Sequence, residues 1–296
     1  MSDSLLAETA RRLTASGVDN ARLDARLLWD HAQSLSPGTG GEGRGEVGAA
    51  DIVPRHPSPL PQRGRGDVAC VFEALVARRA AREPLAYITG QKEFWSLDFE
   101  VGPGVLIPRP ESETIVEQVL AFVPDRSTPL KILDLGTGSG CLLIALLKEY
   151  PNARGLGIDL SEEARAYALR NLARHGLAGR GEILGGDWNE APGAPYDVIV
   201  SNPPYIKTSD VAGLEPEVGY EPVGALDGGR DGLAAYRALA PVLARLLGPS
   251  ARAFVEIGAG QAEEVAAVLT QSGLKTIQRV PDLAGIPRVL VVGPAG

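Results

Sequence analysis

Apolar residues recur at helical spacing over 4–16 and again over 20–35. The second run places Leu23, Leu27, Leu28 and His31 on one face, with Asn20 positioned to cap it. Val68, Phe72, Leu75, Val76 and Arg79 form a third stripe, which predicts a helix over 68–82. These three make a small N-terminal helical domain, residues 1–88. Trp95, Leu97, Phe99 and Val101 then alternate with polar residues, and Gly102-Pro103-Gly104 offers a turn before Val105 to Ile107. This pattern predicts a linking β-hairpin within 89–110. From Lys131 the period alternates between strand and helix. Strands are predicted at 131–135, 154–158, 181–184, 196–201 and 252–257, with helices at 140–150, 161–175, 231–247 and 260–272. That alternation predicts an α/β fold with a doubly wound parallel sheet over 111–296. Two final strands, 275–280 and 287–292, have no helix between them, so they should pair antiparallel as a C-terminal edge hairpin.

Composition changes this picture in one place. Thirteen of the thirty-two residues from Ser36 to Asp67 are Gly or Pro, too few apolar groups to offset the entropy of an ordered chain. This segment is expected to be a disordered insertion in the helical domain, with Pro57-Ser58-Pro59-Leu60-Pro61 as its one candidate binding motif. Elsewhere, 44% hydrophobic and 22% charged residues in a chain of 296 suit a buried globular core. The densest apolar run, Cys141 to Leu147, is far short of a membrane span, and the polar N-terminus is no signal peptide. Two isolated cysteines build neither a disulfide framework nor a zinc site, and a reducing cytoplasm is the expected compartment. A net charge of −8 argues against direct DNA binding, although a local basic patch stays open. The histidines, His31, His56 and His175, lie on separate elements and suggest no metal site or hydrolase.

The chemistry concentrates at two strand ends. Ile132-Leu133-Asp134-Leu135 runs into Gly136-Thr137-Gly138-Ser139-Gly140, where glycines allow a sharp turn and close approach to a ligand at a helix start. Asp159 ends the next strand, 23 positions after Gly136, where an acid can hold two ribose hydroxyls; alone, it also reads as a helix cap. Cys141 stands where a dinucleotide fingerprint needs glycine. The loop therefore fits S-adenosyl-L-methionine, which has no pyrophosphate, better than a dinucleotide. Trp188 follows the third strand and suits either an adenine edge or the core. Cys141, at a helix start, reads as a small packing residue rather than a reactive thiol.

Asn202-Pro203-Pro204-Tyr205 leaves the fourth strand at the ligand-binding edge of the sheet. Two prolines stiffen the backbone and donate no N–H, leaving carbonyls to accept. The Asn202 side-chain carbonyl and a backbone carbonyl can then take both hydrogens of one planar NH2, while Tyr205 offers a flat face. An amide nitrogen is a poor nucleophile that gains positive charge as it is methylated, and such acceptors stabilise that charge.

The chain resembles the release factor glutamine N5-methyltransferases over nearly its whole length apart from Ser36 to Asp67. The resemblance rests on Ala21-Arg22-Leu23-Asp24-Ala25, Tyr87 to Gly90, Glu93 to Phe99, Ile107-Pro108-Arg109-Pro110-Glu111-Ser112-Glu113, the glycine loop, Asn202 to Tyr205, Glu221-Pro222 and Gly228 to Gly232. It implies a Rossmann-like methyltransferase sheet in which Gly136, Thr137, Gly138, Ser139, Gly140, Asp159, Trp188 and Asn202 contact S-adenosyl-L-methionine. It also implies that Asn202, Pro203, Pro204 and Tyr205 bind the substrate glutamine, with Asn202, Pro203 and Tyr205 as the catalytic set. The implied partners are class I peptide chain release factors, whose Gly-Gly-Gln loop enters the cleft while the helical domain docks the protein; a monomer is expected. That family often has Thr at the position of Ser112. Methylation of a glutamine in a large-subunit ribosomal protein, or of a nucleic-acid amino group, is the alternative reading.

Overall fold

The computed structural model describes residues 3–35, 68–193, 195–282 and 284–295, which form two compact units, Met1–Thr89 and Gly90–Gly296. The Ser36 to Asp67 insertion, its proline motif and His56 lie outside the described residues.

The first unit packs α1 (Asp3–Ala15), α2 (Ala21–Leu35), α3 (Val68–Ala80) and α4 (Leu85–Thr89) around Leu13, Leu28, Phe72, Leu75 and Val76. The α3 stripe is buried from Phe72 to Arg79 as its spacing predicts. The face of α2 differs from expectation. Leu23 and Leu27 are exposed, and α2 buries Ala21, Asp24, Ala25, Leu28 and Ala32 instead. Three alanines let neighbouring helices approach closely, and Asp24 is buried because Arg79 donates to it at 2.7 Å.

The second unit opens with an antiparallel hairpin, β1 (Gln91–Phe94) and β2 (Leu97–Glu100). Its turn is Trp95-Ser96, not Gly102 to Gly104, and Val105 to Ile107 is not a strand. Both turn residues have positive φ, 53° and 56°, as a two-residue hairpin turn of matching twist requires. Neither is glycine, so the conformation is held from outside: the Trp95 backbone N–H donates to Glu113 and its indole N–H to Glu149, each at 2.7 Å.

The seven-stranded sheet has the order β5-β4-β3-β6-β7-β9-β8. Strands β3 (Lys131–Leu135), β4 (Arg154–Asp159), β5 (Gly181–Gly185), β6 (Tyr196–Ser201) and β7 (Leu247–Glu256) pair in parallel. The last two, β8 (Leu274–Pro281) and β9 (Pro287–Pro294), pair antiparallel, as expected of the C-terminal hairpin, and β9 also pairs antiparallel with β7. Helices α5 (Glu113–Phe122), α6 (Cys141–Glu149), α7 (Glu162–Arg174), a short α8 (Thr208–Val211), α9 (Ala234–Leu246) and α10 (Ala262–Gln271) complete it. The sequence pattern names none of α4, α5 and α8.

Leu142 to Leu147 of α6 are all buried, which is why this run reads as uniformly apolar rather than amphipathic. Each such leucine stabilises the fold by roughly 1.5–3 kcal/mol through area removed from water. Among the described residues, no helix is long and apolar enough to cross a membrane. Because β3 lies between β4 and β6, the chain reverses direction across the sheet there, and a crevice opens at the C-terminal strand ends.

Candidate active site

That crevice holds a cavity of about 430 Å³ lined by Gly136, Thr137, Gly138, Ser139, Asp159, Trp188, Asn202 and Pro204. Gly140 and Pro203 are not in its wall, and Tyr205 lines a smaller neighbour of about 120 Å³. Asn202, Leu106, Arg109 and Ala225 border both cavities. Asn202 thus stands at the junction of a large chamber and a small one.

The glycine loop turns because Gly136, Gly138 and Gly140 take φ of 78°, 57° and 82°. A Cβ on Gly138 would meet nothing within 4 Å, so this side of the loop is open to a ligand. The loop does not form an anion nest. The N–H groups of Gly136 and Thr137 donate to Ile158 O, that of Gly140 to Thr137 O, and that of Gly138 to Asp159 Oδ2 at 2.8 Å. Four amides are therefore spent on protein acceptors rather than left to meet phosphate.

Asp159 accepts from Gly138 and, through Oδ1, from the Ser161 backbone N–H at 2.9 Å. Each oxygen keeps a second lone pair for a hydroxyl. The cap of α7 is Ser161, whose hydroxyl accepts from the Ala164 N–H, so Asp159 is not the helix cap. Burial pushes its pKa up, and the Gly138 and Ser161 N–H groups oppose that shift. Asp134 is fully buried beneath the loop, accepts from Thr137 Oγ1 at 2.6 Å, and is pushed up to about 7 by burial. Among the described residues, Ser139 Oγ is buried without a hydrogen-bond partner of normal geometry. These features suit a neutral or cationic nucleoside and oppose a phosphorylated one. Trp188 packs against the core and also lines the larger cavity, 3.7 Å from where a Gly136 Cβ would lie.

Ser201 Oγ donates to Leu135 O at 2.7 Å, locking the end of β6 to the end of β3 and setting Asn202 beside the glycine loop. Asn202 Nδ2 donates to Ser112 Oγ at 3.0 Å, and Ser112 Oγ donates to Glu256 Oε2 at 2.5 Å. Among the described residues, no hydrogen bond ends on the Asn202 side-chain carbonyl or the Pro203 carbonyl. The Tyr205 hydroxyl donates to Glu256 Oε1 at 3.4 Å, and burial pushes its pKa up to about 12. Its backbone carbonyl accepts from Gln261 Nε2 at 3.0 Å. Arg109 and the Ile107 N–H both donate to Glu221, tying the Pro-Arg-Pro-Glu segment to the loop that closes the smaller cavity.

Sequence reasoning did not find Glu256, Gln261 or Asn171. Asn171 donates to Ser139 O at 2.9 Å and to Glu100 O at 3.1 Å, bracing the loop against the hairpin. Glu256 alone carried a signal, as a charged residue inside the apolar stretch Phe254-Val255-Glu256-Ile257, whereas Asn171 and Gln261 sit beside polar or glycine neighbours. Burial pushes the Cys141 thiol up to about 12, opposite to the shift that a reactive thiolate needs. Among the described residues, no cluster of side chains could hold a metal ion.

Comparison with known proteins places this architecture. The model of the methyltransferase small domain matches residues 117–214, and that of the PrmC N-terminal domain matches 66–90. The release factor glutamine methyltransferase of Rhodospirillum rubrum is 45% identical over 97% of this chain and 83% of its own length. That of Caulobacter vibrioides is 42% identical over 95% of this chain and 92% of its own. A solved release factor-specific protein-(glutamine-N5) methyltransferase from Alicyclobacillus acidocaldarius is 32% identical, covering 66% of this chain and 98% of that one, with a TM-score of 0.40. Identity at this level along almost the entire chain shows that the protein belongs to the release factor glutamine methyltransferase family.

Proposed function

We propose that the protein transfers a methyl group from S-adenosyl-L-methionine to the side-chain amide nitrogen of the glutamine in the Gly-Gly-Gln loop of class I peptide chain release factors. The observation that carries this reading is the position of Asn202, at the border of two cavities with its carbonyl oxygen unspent. Membership of the family supports the choice of substrate.

The larger cavity fits the donor. Asp159 has lone pairs for the ribose hydroxyls, Trp188 offers an apolar face, and Gly138 leaves room for close approach. Four of the five loop amides already donate to protein acceptors, so little of the loop is left for phosphate, and a donor without phosphate adds no anion beside the carboxyl groups of Asp134 and Asp159. When bound, S-adenosyl-L-methionine supplies a methyl carbon on a positively charged sulfur.

The remaining work falls to the chain itself. Asn202 Oδ1 and the Pro203 carbonyl accept the two hydrogens of the glutamine NH2, which orients its nitrogen and stabilises the charge it gains. Pro203 and Pro204 hold these acceptors without reorganisation during the reaction. Tyr205 packs beside the amide in the smaller cavity, and Leu106 and Ala225 there exclude water. No strong base is needed before attack, because the amide nitrogen becomes acidic only as the new bond forms.

In this reading the helical unit docks the release factor, and the enzyme is a cytoplasmic monomer with no DNA partner. Net charge −8 and two free cysteines support the last two assignments of partner and compartment. The test is labelled methyl transfer to a purified release factor and to its Gln→Ala loop variant. Label on the native factor alone is expected; equal labelling of both excludes the assignment.

A further inference from the structure

Glu256 is 1% exposed and Ser112 2% exposed, yet neither belongs to the motif that meets the acceptor. Their hydrogen bonds run in one direction. A carboxylate has no hydrogen to give, so Ser112 must spend its single hydroxyl hydrogen on Glu256 Oε2, at 2.5 Å. Its lone pairs are then left to accept, and Asn202 meets them with Nδ2 at 3.0 Å. The amide end that remains for the acceptor is the carbonyl oxygen.

We infer that Glu256 in its ionised form, acting through Ser112, determines which end of the Asn202 amide is presented to the acceptor nitrogen. With a proton on Glu256 the chain can reverse. Glu256 then donates to Ser112, Ser112 donates to Asn202 Oδ1, and the Asn202 NH2 faces the acceptor NH2, where like dipoles repel. Ser112 and Glu256 are thus positioning residues, and the protonation of one buried carboxyl group switches the site.

The surroundings of Glu256 place this switch in an accessible range. Glu111, next to Ser112, disfavours the charge, whereas Arg288 of β9 and the Tyr205 hydroxyl favour it. Tyr236 of α9 donates to the Glu256 backbone carbonyl at 3.0 Å rather than to its carboxylate. Cys141 of α6 also lies within its field but stays neutral. Burial outweighs the favourable partners and pushes the Glu256 carboxyl up to about 7.

The catalytic consequence rests on the amide-methylating reading, but the network is a property of the protein alone, which allows separate tests. The first uses full-length protein labelled with 15N-asparagine, the Asn202 side-chain signal being assigned by its loss in Asn202→Asp. That signal should exchange slowly above pH 8 and shift on acidification with a midpoint near 7. The midpoint should vanish in Glu256→Gln. Slow exchange should vanish in Ser112→Ala and survive in Ser112→Thr, which keeps the hydroxyl. An Asn202 signal indifferent to pH and to Ser112→Ala overturns the inference.

The second test is steady-state methylation of a release factor. Ser112→Ala and Glu256→Gln should each lower kcat about tenfold or more with donor KM within about twofold, as expected when an acceptor is misaimed rather than a pocket lost. Glu256→Gln should also flatten the acid limb of the kcat profile. Unchanged kcat in Ser112→Ala overturns the inference. A wild-type enzyme that methylates no glutamine, with the Asn202 signal behaving as described, overturns the functional reading and leaves the switch standing.

Discussion

Gly228 presses against the backbone of Tyr205: a Cβ on this glycine would stand 2.8 Å from Tyr205 Cα and 2.8 Å from the Pro204 carbonyl oxygen. The neighbouring backbone reinforces the contact, since Gly228 N–H donates to Ile206 O at 2.7 Å and Ile206 N–H to Leu226 O at 3.0 Å. The glycine-rich segment is therefore a backstop for the Asn-Pro-Pro-Tyr turn. Gly228→Ala must push that turn toward the cavities. Turnover should fall about 10²-fold, the size of effect that follows a displacement of roughly 1 Å, with the fold retained by circular dichroism. Unaltered kcat would show that the turn yields without consequence.

Asn202→Ala removes a side-chain acceptor while leaving Asp159, Trp188 and the glycine loop in place. Turnover should drop by about 10²-fold or more, as for the loss of one preorganised transition-state contact. Donor affinity, measured by calorimetry on the enzyme alone, should change little. A large loss of donor affinity with intact turnover would reverse the roles assigned here.

Stability and activity should move in opposite directions below neutral pH. Glu256 is raised by burial from 4.5 to about 7, so between these values the folded chain holds a proton that the unfolded chain has lost. Its contribution therefore favours folding at low pH and declines as pH rises through 7. His31 and His175, lowered by burial, act in the opposite sense, so the comparison is made with Glu256→Gln, which shares them. From about pH 8 to 5.5, urea titration should show the wild type gaining about 2 kcal/mol on the variant. A difference independent of pH would mean that Glu256 does not titrate in this window.

Asp24 and Arg79 form a pair with side chains only 8% and 9% exposed in the helical unit. Asp24→Ala leaves the guanidinium buried with a main-chain acceptor, Glu83 O at 3.2 Å, in place of the carboxylate. Breaking such a pair from one side costs about 3–5 kcal/mol. Hydrogen exchange should rise in α2 and α3 while the amides of β3 and β6 keep their protection. Equal loss in both places would show the two units unfolding together.

The sheet was legible because its strands are short apolar runs separated by helices, most of them amphipathic and α6 apolar throughout, and because a glycine loop and a proline motif occur at strand ends. Periodicity depends on which face is buried, and it needs no knowledge of the partner. It misplaced the hairpin turn for the same reason. Trp95 and Ser96 have no intrinsic preference for positive φ, and the carboxylates that hold Trp95 there, Glu113 and Glu149, are distant in sequence. In α2, leucine spacing suggested one face, whereas the available partner, Arg79, and close helix approach selected another.

At the site, the sequence alone determined the residue types that can meet a donor and an amide: Gly136 to Gly140, Asp159, and Asn202 to Tyr205. Those choices are local, because strand ends, glycine torsions and proline rigidity are encoded within a few residues. Only the tertiary structure decided which way Asn202 faces, that Glu256 lies behind it through Ser112, and that Gly228 supports Tyr205. These relations join residues 112, 202, 228 and 256, and hydrogen-bond direction is a property of the assembled set rather than of any one member.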